Sequence, residues 1–154
     1  MSDIQFKVQG TSLSDTKLRT QARQFEIDVD EPQGLGGKDE AANPVEYILV
    51  GLAGCINVVA HTVAKELDIK IDALKIDVSG GLNPNKFLGV SEAERAGFKG
   101  IEVNLNFETN AKPSELKLWL AEINKRCPVK DNLFTATPVN LSIKSNQTAD
   151  VEFD

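Results

Sequence analysis

From Tyr47 to Ala64 the chain carries no charged side chain, taking histidine as neutral. That run constrains the fold more than any other feature. Asn43-Pro44-Val45-Glu46 opens it as a helix. Asn43 is an N-cap whose side chain can accept from free backbone N–H groups, and Pro44 suits the first helical position. Glu46, three places on, completes a capping box and faces the positive end of the helix dipole. The pattern predicts a helix to about Leu67. Its apolar length approaches that of a membrane span. Gly51, Gly54, Asn57 and His61 interrupt it and no aromatic belt flanks it, so the membrane reading is rejected. The better reading is a helix buried on nearly all sides. A chain of 154 residues has difficulty surrounding such a helix alone, and a second subunit is expected to help.

The remaining elements follow from shorter patterns. Ile4, Phe6 and Val8 alternate with polar residues, the period of a half-buried strand. Phe25, Ile27 and Val29 repeat it, and the segment from Lys17 to Arg23 is expected to pair with them. The run Asp30 to Gly37 is a loop rich in turn residues. Ile71 to Val78 reads as a strand, and Ile101, Val103, Leu105 and Phe107 mark another. The region from Val90 to Phe98 fits no single pattern. Pro113-Ser114-Glu115 starts a second helix, interrupted at Arg126-Cys127-Pro128-Val129. Pro138 to Ile143 is a last strand, and the polar tail after Ser145 is expected to fray. Helices do not alternate regularly with strands, so the fold class is α+β with a mainly antiparallel sheet, in one domain over residues 1–154.

Net charge is −6, which argues against nucleic acid and against an anionic membrane surface. The N-terminus has no basic segment followed by an apolar run, so no secretory signal is expected and the expected compartment is the cytoplasm. A lasting structural disulfide is improbable there. Cys55 and Cys127 are the only cysteines, His61 is the only histidine, and no CxxC is present. That inventory gives no metal site. Two such thiols are either small core residues or redox groups.

Two stretches resemble the OsmC/Ohr family of thiol-dependent peroxidases. One is Leu35-Gly36-Gly37 followed by the segment from Asn43-Pro44-Val45-Glu46 to Gly54-Cys55; the other is Cys127-Pro128-Val129 with the later Pro138-Val139. The element order matches as well. The resemblance implies an OsmC-like fold with a long buried central helix, in an intertwined homodimer. It implies that Cys55 attacks an organic hydroperoxide or hydrogen peroxide and becomes a sulfenic acid. Cys127 would then resolve it into a disulfide, and a dithiol reductant would regenerate the thiols. No metal or organic cofactor is expected. The resemblance also implies support for the thiolate from an arginine of the N-terminal strands, for which Arg19 is the first candidate, and from a glutamate near the helix start, for which Glu46 stands. The family's arginine belongs nearer Ser14 to Lys17, and its glutamate at the place of Val45. These departures favour the alternative, a non-catalytic OsmC-like stress or small-molecule-binding protein.

The chemistry of the residues agrees in outline. Thiolate attacks a peroxide, and a second thiol protects the sulfenic acid from irreversible oxidation. Cys55 lies mid-helix, where burial disfavours the thiolate, so it needs a cation. Cys127 precedes Pro128 and is a plausible N-cap for a short helix from Pro128 to Phe134. Glu46 precedes Cys55 by roughly 13.5 Å of helical rise, out of reach within one chain. His61 lies roughly 9 Å beyond Cys55 along the helix and cannot pair with it.

Overall fold

The computed structural model describes residues 2–143 and 151–153. Three antiparallel strands open the chain: β1 (Gln9–Ser12), β2 (Leu18–Ala22) and β3 (Phe25–Val29), in the order β1-β2-β3. Helix α1 (Pro44–Glu66) follows, then the hairpin β4 (Ile71–Gly81) and β5 (Gly100–Thr109). Helices α2 (Pro113–Arg126) and α3 (Pro128–Phe134) precede a short antiparallel pair, β6 (Leu141–Ile143) and β7 (Val151–Phe153). This is the α+β architecture with antiparallel sheets that the sequence predicts.

The start of α1 forms as its residues dictate. Asn43 Oδ1 accepts from the Glu46 N–H at 2.9 Å, and Glu46 Oε2 accepts from the Asn43 N–H at 2.8 Å. Leu52, Ile56, Ala60, Val63 and Ala64 then make one buried stripe. Its spacing of three and four residues aligns them along the helix. The stripe packs on β4–β5 and on α2. In β5 the alternation is regular, with Ile101, Val103, Leu105 and Phe107 all facing the core. In β4 the register shifts between Asp72 and Lys75, where Ala73 has a φ of 50°. This bulge lets Ile71 and Leu74, three places apart, both turn inward before Leu74, Ile76 and Val78 resume the alternation.

Three expectations need correction. The Ile4–Val8 strand does not form. Gln9 pairs with Gln21, so the partner strand ends one residue later at the β2–β3 turn. Residues before Gln9 have no strand opposite them, and Ile4, Phe6 and Val8 are exposed. The last strand is shorter than expected, beginning at Leu141. Pro138 has no N–H to give to a ladder and Val139 stays exposed. The fraying expected after Ser145 falls partly outside the described residues; within them, Val151–Phe153 pairs with β6.

The long helix is not enclosed by its own chain. Pro44–Glu66 is long and apolar enough to cross a membrane, yet its stripe from Leu52 to Ala64 is core, so it is the central helix of a fold. Its other face holds Val50 and Val58, both more than half exposed, and Gly51 and Gly54, with open space where side chains would be. One hairpin and one neighbouring helix layer cover one side only. The N-terminal sheet gives little cover. It is tied to α1 by the Tyr47 hydroxyl, which donates to the Asp28 carbonyl at 2.8 Å.

Candidate functional site

Cys55 lies half-buried on α1, next to the core stripe. Cys127 reaches it through a chain of local constraints. Trp119 of α2 is 2% exposed, and its indole N–H donates to the Ala60 carbonyl at 2.8 Å. Its ring meets Phe107 edge-on, with centroids 5.0 Å apart. At the end of α2, the Arg126 guanidinium grips both carboxylate oxygens of Glu66 on α1, one of them at 2.9 Å. These contacts fix α2 against α1 at the point where α2 ends. The next residue, Cys127, leaves the helical conformation because Pro128 cannot follow a helical residue comfortably. It becomes the N-cap of α3, with its sulfur accepting from the Lys130 N–H at 3.4 Å.

The outcome is a pair of free thiols. Cys127 Sγ donates to Cys55 Sγ across 2.9 Å. That separation is longer than a disulfide bond of about 2.05 Å and shorter than an ordinary sulfur contact, so closing it needs no large backbone movement. Burial pushes the Cys55 thiol pKa up, and the adjoining Cys127 sulfur pushes the same way; the Val129 N–H acts in the opposite direction. The contact with Cys127 thus favours the protonated form of Cys55. Burial is the larger influence, and no lysine or arginine of the described residues acts on this thiol.

A pH dependence follows. With its pKa raised, Cys55 holds its proton into alkaline solution. Its alkylation by iodoacetamide, followed by peptide mass spectrometry, is expected to rise about tenfold per pH unit through the neutral range and to level off only above the ordinary thiol value near 8.5. A plateau below pH 7 would mean that a cation from outside this chain reaches the sulfur.

The other two sequence candidates lie elsewhere. Glu46 is engaged in the helix cap. Arg19 stands opposite Asp28 in the β2–β3 register and holds it in a two-pronged pair at 2.8 Å, with Glu26 at 3.3 Å. Within one chain neither joins the thiols. The residues that do touch them are Val129 and Lys130, through backbone N–H groups of α3. The Cys-Pro-Val run carries the signal for these, since a residue before a helix-opening proline faces the free amides of the first turn.

Beside Cys127 a cleft of about 740 Å³ opens between α1, β5, α2 and α3. Leu52, Ile56, Ile101, Leu105 and Phe134 are among its apolar walls. Among the described residues, no three His, Cys, Asp or Glu side chains are arranged to hold a metal ion.

Comparison with known proteins gives concordant relatives. A curated hydroperoxide reductase from Mycoplasma pneumoniae is 24% identical over 92% of this chain and 95% of its own length. The crystal structure of an OsmC-like protein from Mycoplasma pneumoniae superposes with a TM-score of 0.75 at 22% identity, covering 88% of this chain and 91% of that one. An organic hydroperoxide resistance protein from Elizabethkingia anophelis superposes with a TM-score of 0.61 at 22% identity, over 84% of this chain and 88% of that one. At these identities the structural likeness speaks for the fold. The family model described as OsmC-like protein matches residues 37–142, which run from the loop before α1 through both thiols to β6, and the chain therefore belongs to the OsmC-like protein family.

Proposed function

We propose that this protein is a cytoplasmic two-cysteine peroxidase that reduces hydroperoxides. The observation that carries the reading is the 2.9 Å approach of the Cys55 and Cys127 sulfurs beside an apolar cleft. The name of the Mycoplasma relative, hydroperoxide reductase, supports the same class of reaction. In the first step the Cys55 thiolate attacks the outer oxygen of R–O–OH. The O–O bond breaks, an S–O bond forms, and the alkoxide leaves as ROH after taking a proton. In the second step the Cys127 sulfur attacks the sulfenic sulfur. A disulfide forms and the oxygen leaves as water. The two electrons come from the thiol pair, and a dithiol reductant restores them by exchange.

The working form is a homodimer. The exposed face of α1, with Val50, Val58 and the open Gly51 and Gly54, supports a second copy there. Arg19 and Glu46 enter the chemistry only from that second copy, since their own chain holds them away. Sedimentation at micromolar concentration is expected to give a dimer; a stable monomer would remove both residues from the mechanism.

One equivalent of an organic hydroperoxide, added to the reduced protein at neutral pH, is expected to consume both thiols and leave a Cys55–Cys127 disulfide visible by mass spectrometry. The raised Cys55 pKa without a nearby cation favours a second reading, a small-molecule-binding protein of this family. Two thiols that survive the hydroperoxide would establish that reading instead.

A further inference from the structure

The cleft between α1, β5, α2 and α3 is lined by Cys127 but not by Cys55, so the attacking sulfur is approached from another side. The direction follows from the resolving step. When the Cys127 sulfur displaces oxygen from a sulfenic Cys55, the incoming sulfur, the central sulfur and the departing oxygen lie in one line. Cys127 is 1% exposed and meets Cys55 from the core at 2.9 Å. The oxygen therefore leaves, and first arrives, on the solvent flank of Cys55.

On α1 that flank belongs to Gly51. It precedes Cys55 by four residues, about 40° around the helix and about 6 Å along it. Helical side chains lean towards the N-terminus, so the Cys55 side chain lies over the turn that Gly51 occupies. Leu52 and Ile56 flank Cys55 on the buried side, whereas Gly51 and Val58 flank it on the exposed side. A Cβ on Gly51 would meet no atom within 4 Å, and the residue has no positive φ. Neither packing within the chain nor the backbone calls for glycine there, although alanine is the better helix former. What glycine leaves is a gap beside the attacking thiol.

Resting on the peroxidase reading, we infer that Gly51 is a specificity-determining residue. The gap over it admits the hydroperoxide oxygen to Cys55, and its width sets how bulky a group can follow. Ile48, three residues earlier on the neighbouring turn, lines the cleft, so the gap opens onto that space. Val50 and Gly54 lie further round the helix from Cys55 and leave a face for a second copy beside the gap.

The test compares cumene hydroperoxide, which carries a bulky group, with hydrogen peroxide on the full-length protein and its Gly51→Ala and Gly51→Val variants. Alanine at a helical position that meets open space keeps the fold, so loss of structure does not confound the first variant. For cumene hydroperoxide kcat/KM is expected to fall in steps with the size of the added side chain. The fall at valine is about ten- to a hundredfold, as for other misfits of a methyl group or two. Hydrogen peroxide is expected to lose far less. Equal losses with both peroxides, the mark of a displaced thiol or a disturbed assembly, would overturn the inference, as would no loss with either. Alkylation separates it from the reading it rests on, because it needs no peroxide chemistry. In the reduced protein, labelling of Cys55 by bulky iodoacetanilide relative to iodoacetamide, read by peptide mass spectrometry, is expected to fall about tenfold from wild type to Gly51→Val. If no hydroperoxide consumes the thiols, the peroxidase reading fails, while that fall still supports the gap. An unchanged labelling ratio would overturn it, and so would a wild-type Cys55 that iodoacetanilide does not reach because a second copy covers Gly51.

Discussion

Replacing Cys55 with serine is expected to reduce peroxide turnover to the level of buffer alone. The loss is on the order of a thousandfold or more, as when a nucleophile is removed from other covalent enzymes. A serine hydroxyl at that half-buried mid-helix position has no neighbouring lysine or arginine among the described residues to activate it. Cys127→Ser has a different signature. Attack needs one sulfur and closure needs both, so this variant is expected to form a sulfenic acid at Cys55 once and then stall or over-oxidise. A single-turnover experiment with one equivalent of hydroperoxide and a sulfenic-acid trap reads the difference. Trapping at Cys127 in the Cys55→Ser variant, with none at Cys55 in the Cys127→Ser variant, would reverse the assigned roles. The two substitutions also differ in what they do to the structure: Cys127 is 1% exposed and caps α3, whereas Cys55 is only half-buried.

The largest effect on stability is expected at Trp119. Trp119→Ala removes the biggest buried side chain, its edge-on contact with Phe107 and the hydrogen bond to Ala60. Large aromatic-to-alanine changes in cores cost about 3–5 kcal/mol, a substantial share of the 5–15 kcal/mol that holds a typical domain. Urea unfolding followed by circular dichroism is expected to show that loss as a lower midpoint with an unchanged slope. Trp119→Phe keeps most of the volume and forfeits the N–H bond, so a smaller loss of about 1–2 kcal/mol is expected. A loss under about 1 kcal/mol for the alanine variant would mean that α2 is held to α1 chiefly by the Arg126–Glu66 pair.

What the sequence discloses about this fold is what depends on near neighbours in the chain. Asn43, Pro44 and Glu46 lie within one helical turn of each other, and the capping box they promise is present. Cys127 before Pro128 promises an N-cap, and the sulfur performs that role. The alternation of β5 is visible because every second residue meets the same core. Long-range facts are less legible. Nothing local in Ile4–Val8 tells that its partner strand ends at Ala22. The bulge at Ala73 carries no turn signal such as glycine. The meeting of Cys55 with Cys127 depends on a hairpin and a helix between them, and only the family resemblance points to it from sequence. Arg19 illustrates the same limit: its opposite number, Asp28, is fixed by register, which the alternation of Phe25, Ile27 and Val29 does not specify.

The sulfur of Cys127 holds down the Lys130 amide as well as facing Cys55. Oxidation that draws it into a bond with Cys55 makes it a weaker and re-aimed acceptor, so the first turn of α3 loses part of its restraint. Lys130, Leu133 and Phe134, which wall the cleft, ride on that turn and the next. On the peroxidase reading, the oxidation state of the sulfur pair is thereby tied to how firmly one wall of the cleft is held, and the two electrons that leave the thiols would ease the departure of what was bound there.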